Sequence, residues 1–416
     1  MEAKMSAEGV TEPGQLSTAE IISLCDRHLL RNVGRLPLAF TRGKGLKLWD
    51  AEGKVYLDFV AGIATCAFGH APDFMAETLA RQARVLVHVS NLFYTEPMAR
   101  LAEFLTRASG LDRVFFSNSG AEANEAALKM ARKHGSDKSD GRRIRIVSAR
   151  NSFHGRTMGA ISITGQENLH AGFHPLLPGV TFVPFGDLAE LDRAVDETVC
   201  CVFLEPIQGE GGVEPAPPGY LARAAEIARS RGALLVLDEV QTGLGRTGTD
   251  FAFRHFGVRP DILTLGKALG CGYPVAATLS TDSAGEALGP GSHSTTLGGA
   301  PLATALALEL VTRILEPSFL ARVSETGSYF LGRLQELAAK HPDAVQEARG
   351  LGLMLGLKLR IPAAPIAQKL VERGFIVNAT AGTVLRFVPP LIVTPAEIDL
   401  LVDALSAILA AEGQAE

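Results

Sequence analysis

The middle of this chain is built from short apolar runs separated by amphipathic stretches, and that alternation narrows its possible folds more than any other feature. Residues 143–149, 180–184, 200–205, 233–238, 261–265 and 275–279 are strand-length and mostly apolar. Helical patterns occupy 122–134, 188–197 and 219–231 between several of them. A strand that is apolar on both faces must be covered on both faces, and helices supply the cover when each strand returns through a crossover. The expectation is an α/β fold whose large domain, over 66–300, is built on a mostly parallel sheet. From about residue 301 the texture changes to long Ala/Leu-rich helices, then strand-like pieces at 350–360 and 374–388. That change predicts a smaller α+β domain over 301–416. Residues 46–49 and 55–59 flank Gly53 as the arms of a hairpin would, and segment 21–65 is expected to pack with the small domain. Residues 1–20 carry acids, Gly and Pro without an apolar run, and are expected to be a disordered leader.

Composition closes off several function classes. Of 416 residues, 47% are hydrophobic and 20% charged, which suits a chain with a sizeable core rather than a disordered one. A net charge of -5, with the basic residues scattered, offers no footprint for nucleic acid or an anionic membrane. Apolar runs such as 200–204 and 233–237 are far short of a bilayer span. The five cysteines form no CxxC pair, and Cys200 and Cys201 adjoin inside an apolar run. Buried, reduced thiols in a cytoplasmic protein are the expectation. The sequence has neither an HExxH helix nor clustered Cys and His, so no metal site is expected.

Three local patterns could carry chemistry. Gly243, Gly245 and Gly248 have GxGxxG spacing, but Asp238 to Gln241 separate them from the strand, and Gly257 follows too soon for a dinucleotide-binding helix. A nucleotide-dependent oxidoreductase is set aside on that ground. Ser117-Asn118-Ser119-Gly120-Ala121 follows an apolar run and opens a helical pattern. Asn118 or Ser119 can cap that helix, and the N–H groups of Gly120 and Ala121 can face an anion. Alone, the pattern is no more than a capped helix start. Asp238 ends the most apolar run, and Lys267 follows the next one between Gly266 and Ala268. A carboxylate at a strand's carboxyl end faces the crevice where α/β proteins bind ligands, and a desolvated lysine there can attack a carbonyl. A loop Asp and a surface Lys are the plainer readings of each taken singly. Together, an anion seat, a carboxylate for a ring nitrogen and a lysine for an aldehyde are the parts a pyridoxal phosphate site requires.

The residues then reach a known family. The motifs RGKGLKLWDAEGKVYLDFVAGIA from Arg42, SNSGAEANEAALKMAR from Ser117, SFHGRT from Ser152 and LEPIQGEGGV from Leu204 run in order along the chain. LDEVQTGLGRTG from Leu237, LGKALG from Leu265, HSTTLGGAPLA from His293 and LRFVPPL from Leu385 continue the series. Through them the chain, from about residue 37 to 391, resembles the class III aminotransferases of pyridoxal phosphate fold type I.

The resemblance implies a cytoplasmic homodimer with shared active sites, using pyridoxal 5'-phosphate and acting on small molecules. Lys267 would bond the cofactor aldehyde and move the proton, and Asp238 would hold the pyridinium nitrogen. Phe153 and Val240 would cover the ring's two faces, with Gln241 near its phenolic oxygen. Gly120 and Ala121 would seat the phosphate, and Thr296 would add a hydroxyl from the other subunit. Arg156 and Arg386 would clamp substrate carboxylates, with Thr295 beside them and Glu210 as a gate on Arg386. The implied reaction moves the terminal amine of N-acetylornithine to 2-oxoglutarate. Ornithine, 4-aminobutyrate and succinyl-diaminopimelate are alternative donors. A non-catalytic cofactor-binding regulator is disfavoured because Lys267, Asp238, Arg386 and Glu210 are all retained. Three positions depart from the family pattern: Leu297 and Ala300 beside Thr296, and Val33 where a Tyr is usual in the donor pocket. Val33 would suit an acetylated α-amine better than a charged one.

Overall fold

The computed structural model describes residues 16–412. At its centre is a seven-stranded sheet. Its spatial order is Arg113–Ser117, Ala276–Ser280, Ile262–Leu265, Leu234–Asp238, Val199–Leu204, Arg145–Ala149, Val180–Val183. The alternation read from the sequence is carried into space by the central strands. Leu235, Leu237, Val202 and Leu204 join one hydrophobic core, while Leu234, Val236, Cys201 and Phe203 join another. With both faces apolar, the strands need cover on both, and helices such as Gly120–Asp137 and Tyr220–Ser230 provide it. Helix Gly120–Asp137 turns Ala123, Ala126, Ala127 and Ala131 inward, and small side chains let it lie close to the sheet.

The sheet is mostly parallel, as expected, with one reversal. Ala276–Ser280 runs antiparallel to both of its neighbours. The cause is the length of the connection before it. Residues 266–275 hold only the single turn Lys267–Leu269, too little for the crossover that a parallel return requires.

The C-terminal part contains a four-stranded antiparallel sheet, ordered Val345–Leu351, Met354–Leu359, Val384–Phe387, Asn378–Thr380. The hairpin expected around Gly53 pairs Lys47–Asp50 with Val55–Asp58. Phe375–Ile376 adds to the latter in parallel, with Phe375 opposite Leu57, so residues near the N-terminus share a sheet with residues near the C-terminus. Of the expected leader, residues 1–15 lie outside the described residues. Its last residues differ from the expectation, since Thr18–His28 is a helix. Ser17 and Glu20 form a reciprocal capping box, satisfying N–H groups that would otherwise leave the first turn frayed. Among the described residues no helix is long and apolar enough to cross a membrane.

The two parts of the molecule are tied together where backbones touch. Arg246 is buried, and its Nη1 donates to the carbonyls of Leu353 (3.0 Å) and Pro389 (2.5 Å). Burial pushes its guanidinium down to about 9. Gly352, at φ +55°, lies so close that a Cβ there would meet the Thr247 carbonyl carbon at 2.4 Å. On helix Pro317–Lys340, a Cβ at Gly327 would likewise meet the Gly352 carbonyl at 2.4 Å. A methyl group at 327 has backbone on its far side that cannot give. Gly327→Ala is therefore expected to lower stability by about 1–3 kcal/mol, as overpacking does. Gly332→Ala, on the same helix with nothing within 4 Å, is expected to raise it by about 0.5–1 kcal/mol. Denaturant unfolding of the two variants checks both signs; equal effects would refute the contact argument.

Candidate active site

Three elements deliver the site to the carboxyl edge of the sheet. The central strand ends in Asp238, which is buried. Its Oδ2 accepts hydrogen bonds from Asn124 Nδ2 and His154 Nδ1, each at 2.8 Å, and its Oδ1 accepts from the Val240 N–H at 2.9 Å. Burial alone would push this carboxyl up, but the donors outweigh it and hold Asp238 below the usual carboxylate range. Asn124 is fixed in turn. Its amide also donates to the His154 carbonyl (2.7 Å), and its Oδ1 accepts from Thr264 Oγ1 (2.7 Å).

The neighbouring strand Ile262–Leu265 is in parallel register, with Asp238 opposite Thr264. The chain leaving it therefore enters the same crevice, as Gly266 and Lys267. Lys267 has φ +43°, in the left-handed region, at a backbone cost of about 1–3 kcal/mol. Burial lowers the affinity of its amine for a proton, against the pull of the Asp238 and Glu210 carboxylates. A lysine held this way is a better nucleophile than one in water. Asp238 and Lys267 line one cavity of about 330 Å³ with Gly120, Ala121, Phe153 and Val240. Ser119 caps the helix that Gly120 begins, so the N–H groups of Gly120 and Ala121 lie in a first turn without intrahelical acceptors. A Cβ at 120 would meet Val240 Cγ1 at 2.6 Å, which is why glycine stands there. An ionised carboxylate, a lysine and a helix N-terminus around one cavity suit a ligand with a basic ring nitrogen, a carbonyl and an anionic arm.

Arg386 lies in strand Val384–Phe387 and is 0% exposed. Its Nη1 donates to Glu210 Oε1 (2.5 Å) and Gln241 Oε1 (3.4 Å), and its Nε to Asn378 Oδ1 (3.2 Å). Nη2 is buried with no protein partner, leaving a donor for a ligand carboxylate. An outer cavity of about 680 Å³ includes Glu210, Asn151, Gln166, Asn168 and Thr380, and shares Phe153 and Arg156 with the inner one. Arg156 is exposed at this junction, its guanidinium 5.5 Å from the Phe153 ring centroid. Glu205 is buried beside them, accepting the N–H groups of Phe153 (3.1 Å) and Gly209 (3.3 Å). Burial, then the charge of Asp238, pushes its carboxyl well above the usual range.

Most of the residues singled out from the sequence meet at these two cavities. Thr295 and Thr296 do not. They line a separate cavity of about 410 Å³ with Ser90, Asn91, Leu92 and Ser294, where Thr295 Oγ1 accepts from Asn118 Nδ2 (3.1 Å). Val33 is 55% exposed and lines neither site cavity, so the preference argued from it has no wall in this protomer to act through. Asn124 is a site residue the sequence reading missed. Its place four residues after Gly120, one helical turn along, is the signal that could have found it.

The comparisons with known proteins bear on this geometry. Residues 29–409 match the model of the family described as aminotransferase class-III. The chain is 45% identical, over 92% of its length and 97% of the relative's, to the acetylornithine aminotransferase of Caldanaerobacter subterraneus. The ornithine aminotransferase of Toxoplasma gondii superposes with a TM-score of 0.92 at 33% identity, covering 96% of this chain and 97% of that one. The N-acetylornithine aminotransferase of Stenotrophomonas maltophilia does so with a TM-score of 0.81 at 36% identity, covering 95% of this chain and 100% of that one. With strand-end acid, lysine and buried arginine in one place and the family model spanning nearly all of the sequence, the chain belongs to the class III aminotransferases.

Proposed function

We propose that this aminotransferase moves the terminal amine of N2-acetyl-L-ornithine to 2-oxoglutarate, giving N-acetylglutamate 5-semialdehyde and glutamate, a step of arginine biosynthesis. The observation that carries the reading is a buried arginine, Arg386, closed by Glu210 at the edge of the cavity that holds Lys267 and Asp238. Pyridoxal 5'-phosphate is the cofactor that fits, supplying an aldehyde to carry the amine and a ring to draw electrons from the carbon that loses its proton. Asp238, held ionised, keeps a cationic ring nitrogen in place. Phe153 and Val240 would cover the ring, and the N–H groups of Gly120 and Ala121 would hold its phosphate. Lys267 Nζ would take the proton from the donor's amine-bearing carbon and pass it to the cofactor within that half-reaction, and would move a proton the opposite way, onto the acceptor's carbon, in the other.

Two unlike substrates must use this one site. The donor presents one carboxylate and a distal amine; 2-oxoglutarate presents two carboxylates. With Glu210 on Arg386, the carboxylate of the donor is left to Arg156, and its far end reaches Lys267. When Glu210 leaves, Arg386 is free for the acceptor. The choice of an acylated donor rests on the outer cavity, where the amides of Asn151, Gln166 and Asn168 are neutral partners for an acyl amide and the one further carboxylate, Glu167, already faces Arg150 at 4.0 Å. Free ornithine would bring a charged α-ammonium there, at about 1–3 kcal/mol if unpaired, or roughly tenfold to hundredfold in preference. The likeness to the Toxoplasma gondii ornithine aminotransferase keeps ornithine as the second reading.

A second copy of the chain completes the proposal, in the cytoplasm. Leu92, Phe93, Tyr94 and Leu297 are exposed, Tyr94 at 99%, beside the cavity of Thr296. A partner seated there would cover them and receive Thr296 at its phosphate seat.

Lys267→Ala is expected to cut turnover at least ~10²–10⁴-fold, the share a proton-transferring group supplies, with folding and assembly unchanged. Circular dichroism beside steady-state rates checks this, and normal turnover would refute the site. Half-reaction rates with N-acetylornithine and ornithine test the donor: kcat/KM is expected to be about tenfold or more higher for the acetylated one. The reverse order would establish the second reading. Sedimentation should give a dimer, and Thr296→Ala should weaken cofactor binding without touching Lys267; a fully active monomer contradicts the shared site.

A further inference from the structure

The loop 209–214 carries Glu210, and its main chain hangs from the C-terminal strands. Thr380 Oγ1 donates to the Glu210 carbonyl (2.7 Å). Arg349 Nη2 and Nε donate to the Gly212 carbonyl (2.9 and 3.3 Å), and Nε also reaches the Val213 carbonyl (3.1 Å). Arg349 is itself held by Glu214 (2.6 Å) and Glu347 (2.7 Å). At the near end of the loop, the Gly209 N–H is bound by Glu205 (3.3 Å). Gly212, at φ +107°, is packed so that a Cβ would meet Ala381 Cβ at 3.2 Å. The backbone is therefore tied on both sides of Glu210 and at Glu210 itself. Its carboxylate is different. Among the described residues it is held by the ion pair to Arg386 alone, and its side chain is 27% exposed. Rotation about the Glu210 side-chain bonds breaks that pair without disturbing any of the main-chain bonds.

We infer that Arg349, resting on the gate reading above, is a positioning residue for substrate choice: it fixes the loop so that Glu210 opens as a side chain alone and closes again on Arg386. Among the described residues no hydrogen bond or ion pair joins Arg349 to Arg386 or Lys267; it stands one strand away from Arg386, across Gly356, and its bonds toward the site go to the loop. Without it the loop is freed at Gly212 and Val213, and Glu210 spends less of its time on Arg386. The closed form serves the acetylornithine half-reaction and the open form serves the dicarboxylate one, so the two half-reactions must respond in opposite senses or to different degrees.

The test is single-turnover kinetics of the holoenzyme with N-acetylornithine and with glutamate, read as the ratio of their kcat/KM values. Arg349→Met is expected to lower that ratio about fivefold, the size of coupling common between groups sharing one network. Arg349→Lys, which keeps one donor, should restore part of it, and Thr380→Val should lower it less. Combined with Glu210→Ala, Arg349→Met should lower the ratio no further than Glu210→Ala does. Hydrogen exchange of the amides 209–213 should quicken in Arg349→Met while the central sheet stays protected. A uniform loss in both half-reactions, or full additivity with Glu210→Ala, would overturn the inference. A Glu210→Ala that leaves the ratio unchanged removes the gate reading and this inference with it. A ratio that moves in Glu210→Ala but not in Arg349→Met overturns this inference alone. If Arg349→Met does not fold, Thr380→Val decides by the same ratio.

Discussion

Asp238 is a charged carboxylate away from water, and an unpaired charge so placed would cost several kcal/mol or give up its ionisation. Three donors from three elements prevent that: Asn124 from the helix behind the anion seat, His154 from the connection after the strand Arg145–Ala149, and the N–H of Val240. Each is itself held, Asn124 by Thr264 and His154 by its ring against Phe203, centroids 4.7 Å apart. The acid is thus a junction through which helix, sheet and crevice loop are kept in one geometry. The strand register sets Thr264 opposite it, so the chain leaving the neighbouring strand brings Lys267 into the same cavity. A shift of the central strand by one residue would turn the acid to the other face of the sheet.

The parts of the site that handle substrate are built differently. Asp238 has three fixed donors, whereas Arg386 has a partner, Glu210, that can leave, and an Nη2 that has none. Arginine tolerates this because its planar fork keeps its charge and offers the same geometry to either carboxylate. A lysine there would present a point charge without a preferred direction. In the proposed reading the cofactor end is held rigid and one side chain stays free at the substrate end. The backbone under that side chain stays fixed through Thr380 and Arg349.

How much of this could be read beforehand follows from what is local. Asp238 and Lys267 stand at the ends of apolar runs, and a strand end is written in the few residues before it. The Ser119 cap and Gly120 are local in the same sense. The donors to Asp238 are not, since His154 and Asn124 lie 84 and 114 residues away, and no local pattern says which side chain closes on which strand. Strand direction is hidden in the same way: residues 276–280 read as a strand either way, and only the ten-residue connection before them speaks for reversal. The helix at Thr18 was legible from Ser17 and Glu20 but was passed over because the stretch before it is rich in Gly and acids. Val33 is likewise not local to the site: it is exposed and lines neither cavity of this protomer.

The charges in the inner cavity sort themselves by burial. Asp238 and Glu205 are both buried and both face the same space, and two like charges there would each raise the cost of the other. Asp238 has three donors and is held ionised. Glu205 has only two backbone N–H groups, and burial pushes its carboxyl well above the usual range, so it holds its proton more tightly than Asp238 does. Negative charge in the inner cavity is therefore concentrated at one carboxylate, where a cationic ring nitrogen can meet it. The Arg386–Glu210 pair adds no net charge while it is closed. Arg156, which has no carboxylate partner among the described residues, is then the free cation at the mouth. In the proposed gate, a substrate carboxylate entering the closed site is drawn to Arg156, and a second carboxylate takes the whole fork of Arg386 once Glu210 has turned away. In that reading, whether Arg386 holds the carboxylate of Glu210 or that of the substrate is what would allow one pocket to tell a molecule with one carboxylate from a molecule with two.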